Sequence, residues 1–239
     1  MGKNVDTRSF DGSPTKPAKG VPKLSGSEEP FTDFVYGTDR WGKKNNNCYA
    51  FAIDYFKGNM NKKLQMGELA KTLKPSDDLT DPKTLKQRTL EDLSTKKNGG
   101  YAAAPCEKCK RNYFKIMAFV DKGKDFHWYR QMGDMMISSD GKKTVANIAK
   151  EIGVNKIQID SPSSNRPKKS EPVLIKNAGL FAHKRGFAEL TVLDASGKFI
   201  TDPRKADRNY GDINYKTFAG AFCVNVNFGS GGRFSCVNN

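Results

Sequence analysis

Two residues in this sequence have the chemistry of a nucleophile and a base, though they stand far apart in the chain. Cys48 lies in Asn45-Asn46-Asn47-Cys48-Tyr49-Ala50-Phe51-Ala52, and His127 lies in Lys124-Asp125-Phe126-His127-Trp128-Tyr129-Arg130-Gln131. The first segment reads as the start of a helix. Asn46 or Asn47 can cap its first turn, and Tyr49, Phe51, Ala52, Tyr55 and Phe56 supply an apolar face. A thiol at that point meets unpaired backbone N–H groups and the positive end of the helix dipole, both of which favour thiolate. The plainer reading is a buried cysteine that opens an amphipathic helix.

The chain holds only two histidines, His127 and His183, so any Cys–His chemistry has two candidate bases. Residues 115–120 read as a buried strand, Asp121-Lys122-Gly123-Lys124 as a turn, and the aromatic-rich 126–132 as the returning strand. His127 would then stand near the start of the second strand of a hairpin. An imidazole there can take the thiol proton, provided that a third polar group fixes the ring. Asp202 is the candidate for that third group. Both Asp194 and Asp202 also fit as turn and strand-end residues.

These segments, with Asp194-Ala195-Ser196-Gly197-Lys198-Phe199-Ile200-Thr201-Asp202-Pro203, resemble a family of phage, bacterial and large-DNA-virus proteins. That family is distantly related to papain-like and NlpC-type cysteine hydrolases. Phe181-Ala182-His183-Lys184-Arg185-Gly186 is similar to a further segment of the family. The resemblance covers scattered pieces of about residues 45–225. It implies an α+β fold with an N-terminal helix packed on an antiparallel sheet, Cys48 as nucleophile and His127 as base. The two histidine segments normally lie close together, whereas here they are 183 − 127 = 56 positions apart. An insertion near 133–179 is therefore expected, and His183 is either a rearranged base or a surface residue.

The elements that would position these groups are unevenly spread. Residues 1–40 are rich in Lys, Ser, Pro and Gly without a helical or strand period, and read as an extended arm that cannot offset its own ordering entropy. Helices are expected at 47–57, 64–74 and 84–94, with a helix-like piece at 144–152. Strands are expected at 115–120, 126–132, 155–160, 173–176, 187–193, 198–201 and 218–228, with a hairpin turn at Ala195-Ser196-Gly197. Helices first and strands later fit one α+β domain over 41–228. Residues 229–239 read as a flexible tail.

Charge and cysteines narrow the partners. With 41 Lys and Arg against 26 Asp and Glu, the net charge is +15. The basic residues are dispersed, so nonspecific polyanion contact is the expectation and base-specific reading is not. No run reaches the roughly 18 apolar residues that a membrane span needs. The N-terminal residues lack a secretory signal pattern, which with five cysteines, an odd number, argues against a disulfide scaffold. Cys106-Glu107-Lys108-Cys109 is half of a zinc site, and Cys223 and Cys236 offer no second pair at close spacing. Reduced thiols and no cofactor are expected.

Two functions follow. In one, which the viral side of the resemblance implies, the chain is a structural component of a large-DNA-virus particle, a minor capsid or cementing protein. It would be made in host cytoplasm and held to neighbouring capsid or assembly proteins by its N-terminal arm. In the other it is a working cysteine peptidase or amidase.

Overall fold

The computed structural model describes residues 22–32, 46–56, 63–154, 159–160, 165–186, 188 and 190–229. Its centre is a six-stranded sheet in the order β2-β10-β3-β4-β8-β9, each neighbouring pair antiparallel. The strands are β2 (Gly100–Ala103), β3 (Tyr113–Asp121), β4 (Asp125–Gln131), β8 (Phe181–Lys184), β9 (Leu190–Thr191) and β10 (Thr217–Asn225). The run Phe114–Val120 is buried at every position. Such a strand must be covered on both faces, and alternation assigns its residues to two cores. Ile116, Ala118 and Val120 join Trp128, Ala182 and Phe222 on the face that carries the helices. Met117 and Phe119 join Tyr129, Phe181, Ile200 and Tyr215 on the other.

Among the described residues, two helices precede β2 in the chain. α1 (Cys48–Ala52) is short and buried throughout, and its Asn47 cap accepts from Ala50 N. α2 (Pro82–Ser94) starts at Asp81, whose carboxylate accepts from Thr84 N, with proline in the first turn where its missing N–H costs nothing. The expected helix at 64–74 is instead a series of turns. Its backbone is held by Asp92, a buried carboxylate on α2 that accepts from Gly67 N at 2.7 Å, Ala70 N at 2.8 Å and Tyr49 Oη at 2.8 Å. Those N–H groups thus bond outside the helix ladder.

The insertion expected near 133–179 has a structure of its own. A second sheet, in the order β1-β5-β7-β6, joins β5 (Met135–Ser138), β6 (Ile159–Asp160) and β7 (Pro172–Ile175) to β1 (Phe31–Thr32). α3 (Val145–Ile152) accompanies it, capped by Thr144 and ended by Gly153 in the left-handed conformation that glycine tolerates.

Several expectations need correction. The arm expected over 1–40 is not wholly separate, because β1 pairs in parallel with β5 and Phe31 is buried. Residues 22–29 also dock on the domain: Gln131 Nε2 donates to Pro22 O, Ser25 Oγ to Tyr113 O, and Gly133 N to Glu29 O. Residues 1–21 and 33–40 of that arm, and 230–239 of the tail, lie outside the described residues, as do 155–158 of the strand expected at 155–160. Of the strand expected at 187–193, Leu190–Thr191 form β9, residues 187 and 189 lie outside the described residues, and Lys184 Nζ donates to Gly186 O and Ala188 O just before it. Cys109 and Cys223 form a disulfide, where reduced thiols had been expected, because the loop before β3 returns against β10. Cys48 and Cys106 are not part of a disulfide.

Among the described residues, no helix is long and apolar enough to cross a membrane, and no cluster of His, Cys, Asp and Glu could hold a metal ion.

Candidate active site

β8 runs beside β4 only from Tyr129 to Gln131. Beyond that, no strand among the described residues pairs with β4 at Phe126 and Trp128 on that side, and α1 packs against β4 there. Cys48 Sγ donates to Phe126 O at 4.0 Å, and the Trp128 N–H also turns to the sulfur. The thiol is therefore bracketed by the backbone of the two residues that flank His127. Cys48 Sγ forms no hydrogen bond with the imidazole itself.

His127 stands on the face of β4 away from Trp128, as alternation requires. Its Nε2 lies 2.7 Å from His183 Nδ1, and His183 Nε2 lies 2.9 Å from Leu193 O. A carbonyl oxygen can only accept, so Nε2 of His183 carries its proton. Burial pushes the His183 pKa down to about 4, which leaves the ring neutral and its Nδ1 an acceptor. His127 Nε2 must then donate. Burial and the neighbouring His183 hold His127 well below the usual histidine range. Its Nδ1 is thus an unprotonated base.

The imidazole is enclosed as well as oriented. Tyr215 stacks on it with ring centroids 5.0 Å apart, and donates its hydroxyl to Asp125 Oδ2 at 2.8 Å. Tyr129 meets it edge-on. The His127 side is thus covered by the loop that leads into β10.

The thiol does not behave as its position in the sequence suggests. Burial, followed by the charge of Asp125, pushes Cys48 up to about 12. A five-residue helix with a fully buried thiol gives the dipole too little to offset that desolvation. In the closed site, sulfur and imidazole are both neutral.

No family model matches this chain. No curated protein and no solved structure matches it either.

Of the sequence-derived site residues, Cys48 lies against the backbone of Phe126 and Trp128, the two neighbours of His127 on β4. Asp202 is elsewhere: buried, it accepts from Arg204 N and binds the Arg204 guanidinium at 2.7 and 3.0 Å. That correction has a simple cause, since a carboxylate two residues before an arginine closes a local pair. The group that fixes the His127 ring is His183, fully buried and not on the surface. Sequence reasoning missed the covering Tyr215, and offered Asn46 as an alternative cap where Asn47 takes that place. It quoted Lys184 without a role, although its ammonium, lowered to about 8 by burial, has Cys48 as a charge neighbour. The dipeptide His183-Lys184 was the available signal, because successive strand residues serve opposite faces.

Proposed function

We propose that the chain is a cysteine-dependent acyl hydrolase of papain-like or NlpC type, acting on an amide or ester. The observation that carries this reading is the 2.7 Å His127–His183 hydrogen bond, whose far end at Leu193 O fixes the tautomer that leaves His127 Nδ1 free to accept a proton. Cys48, held against the backbone on either side of that base, is the nucleophile.

The chemistry follows from those roles. The Cys48 Sγ–H proton passes to His127 Nδ1 as sulfur attacks the carbonyl carbon and the carbonyl π electrons move to oxygen. His183 keeps the imidazolium aligned by accepting from Nε2–H. The tetrahedral species collapses with expulsion of the amine or alcohol, which takes the proton back from Nδ1. Water, deprotonated by His127, then attacks the thioester, and the carboxylic acid leaves with the thiol restored. Because both reacting groups start neutral, the charge pair forms only in the course of reaction. Tyr215 must also move for substrate to reach the base. Hydrolysis of p-nitrophenyl acetate tests the reading: it should require both Cys48 and His127, and retention in Cys48→Ala would refute it.

A second reading keeps the ancestry and drops the turnover, and the enclosure of the site favours it. Cys48 and His127 are nearly inaccessible, as suits a hydrolase-like domain retained as a structural component of a virus particle. In that case residues 1–21 would bind neighbouring subunits while residues 22–32 stay on the domain. Deleting 1–21 should then release the folded protein from its assembly, and unchanged incorporation would count against it.

A further inference from the structure

The segment Cys106-Glu107-Lys108-Cys109 has no part in acyl transfer. Its second cysteine is bonded to Cys223 on β10, and its first keeps a thiol. The bonded pair is closed to solvent, with Cys109 2 % and Cys223 0 % exposed. Cys106 is only half-buried. A small thiol arriving from solution therefore meets the sulfur of Cys106 before it can meet the bond.

The loop that carries these cysteines is tied at both ends by the strand neighbours of Cys223. Cys223 stands opposite Tyr101 on β2 and Lys115 on β3, so the three side chains share one face of the sheet. Lys115 Nζ donates to Ala104 O at 3.0 Å, and Tyr101 Oη accepts from Lys110 N at 2.9 Å. Residues 104–110 are thus held over Cys223. Within them Glu107 N donates to Ala104 O at 3.1 Å, a turn that carries Cys106.

Two cations stand beside the outer sulfur. Arg204 donates to Cys106 Sγ, while Asp202 holds the same guanidinium at 2.7 and 3.0 Å. The buried Lys115 ammonium has Cys106 as a charge neighbour. Exchange between a thiol and a disulfide proceeds by attack of a thiolate, and fixed positive groups stabilise that charge as it passes between sulfurs.

We propose that Cys106 is a thiol–disulfide exchange site that connects the buried Cys109–Cys223 bond to low-molecular-weight thiols in solution. The inference does not depend on the hydrolase reading. The Cys106 thiol gives its proton to solvent, and the thiolate attacks Cys109 Sγ. The Cys109–Cys223 bond breaks, and Cys223 leaves as a thiolate that is then protonated. A small thiol next attacks Cys106 Sγ, forming a mixed disulfide there and releasing the Cys109 thiol. A second molecule of the small thiol frees Cys106 and departs as its own disulfide. Two small thiols are oxidised and one protein disulfide is reduced, without unfolding.

Reduced glutathione serves as the small thiol in the test, with the full chain kept in native buffer. Samples are alkylated with N-ethylmaleimide in denaturant, and the labelled cysteines are located by peptide mass spectrometry. The parent should gain label at Cys109 and Cys223, with glutathione on Cys106 at intermediate times. Cys106→Ser and Cys106→Ala should each slow that gain about 10²-fold or more, since both lose the intramolecular attack. Equal rates in the parent and the variants would overturn the inference. So would glutathione found first on Cys109 or Cys223, or a parent bond that opens only in denaturant. Failure of both variants to fold would overturn it as well, because Cys106 would then be a packing residue.

Discussion

His127 Nε2 donates to His183 Nδ1 across 2.7 Å, joining β4 to β8 through the side chains of two neutral imidazoles. The relationship gives His183 a positioning role. His183→Ala should slow acetylation of Cys48 by about 10²-fold. His183→Gln should recover much of the loss, because its carboxamide oxygen can still accept from Nε2–H. A merely structural role would not separate the two variants. Equal rates in Ala and Gln, at matched stability, would contradict it.

Both histidines are held neutral by burial, which makes stability depend on pH. The folded protein binds fewer protons than the unfolded chain wherever the pH lies below the unfolded value of about 6.5. The native state is therefore favoured above that value and loses stability as pH falls toward about 4, the folded value of His183. The loss should amount to a few kcal/mol, on the order of 1.4 kcal/mol per pKa unit. Urea unfolding on either side of this window measures it. A His127→Gln, His183→Gln double variant should show a much flatter profile, and an unchanged slope would rule out the pair as its source.

Cys48 should be a slow thiol in the resting protein. With its pKa raised to about 12, the thiolate is scarce at neutral pH, and alkylation should climb as pH rises toward that value. Tyr215→Ala, which uncovers the adjacent imidazole, should speed labelling in the Cys106→Ser background. Rapid alkylation well below the roughly 8.5 of a free thiol would contradict the closed site.

Asp92 anchors the segment that carries Cys48, since it accepts from Tyr49, the next residue, and from the 67–70 turns. Replacing it by alanine strands three donors in the core. Asp92→Ala should cost about 3 kcal/mol or more. Asp92→Asn should cost less, as it still offers one acceptor oxygen. Denaturant midpoints of the two variants decide the order.

The Cys109–Cys223 bond closes a long loop, the cysteines being 114 positions apart in the sequence. Its reduction should destabilise the fold by about 5 kcal/mol if chain entropy dominates. Thermal unfolding with and without dithiothreitol, compared with Cys109→Ser, provides the measure. A melting temperature indifferent to reductant would show that the bond contributes little.

The sequence was most legible where residues are punctuated or periodic. Proline after Asp81 marks α2, the Asp121–Lys124 turn marks the β3–β4 hairpin, and Gly153 ends α3. Legibility failed where tertiary contacts outweigh local preference. Residues 64–74 carry a helical pattern, but the Asp92 carboxylate captures their N–H groups from another element. β8 was not read as a strand, because Phe181–Lys184 is too short to show alternation and its histidine and lysine look like surface residues. The candidate site suffered in the same way. Cysteine and base were visible as residue types, but the ring-orienting partner was sought among carboxylates, and it is the other histidine. Burial also reversed the expected thiol chemistry, an effect of packing that no local motif encodes.

The most direct test of the central claim is acetyl transfer to Cys48 from p-nitrophenyl acetate, followed by mass spectrometry in the parent, His127→Gln and Cys48→Ala proteins. The account expects acetyl on Cys48 in the parent, a rate about 10²-fold lower without the imidazole, and none at that position without the thiol. An equal rate of Cys48 acetylation with and without His127 would contradict it.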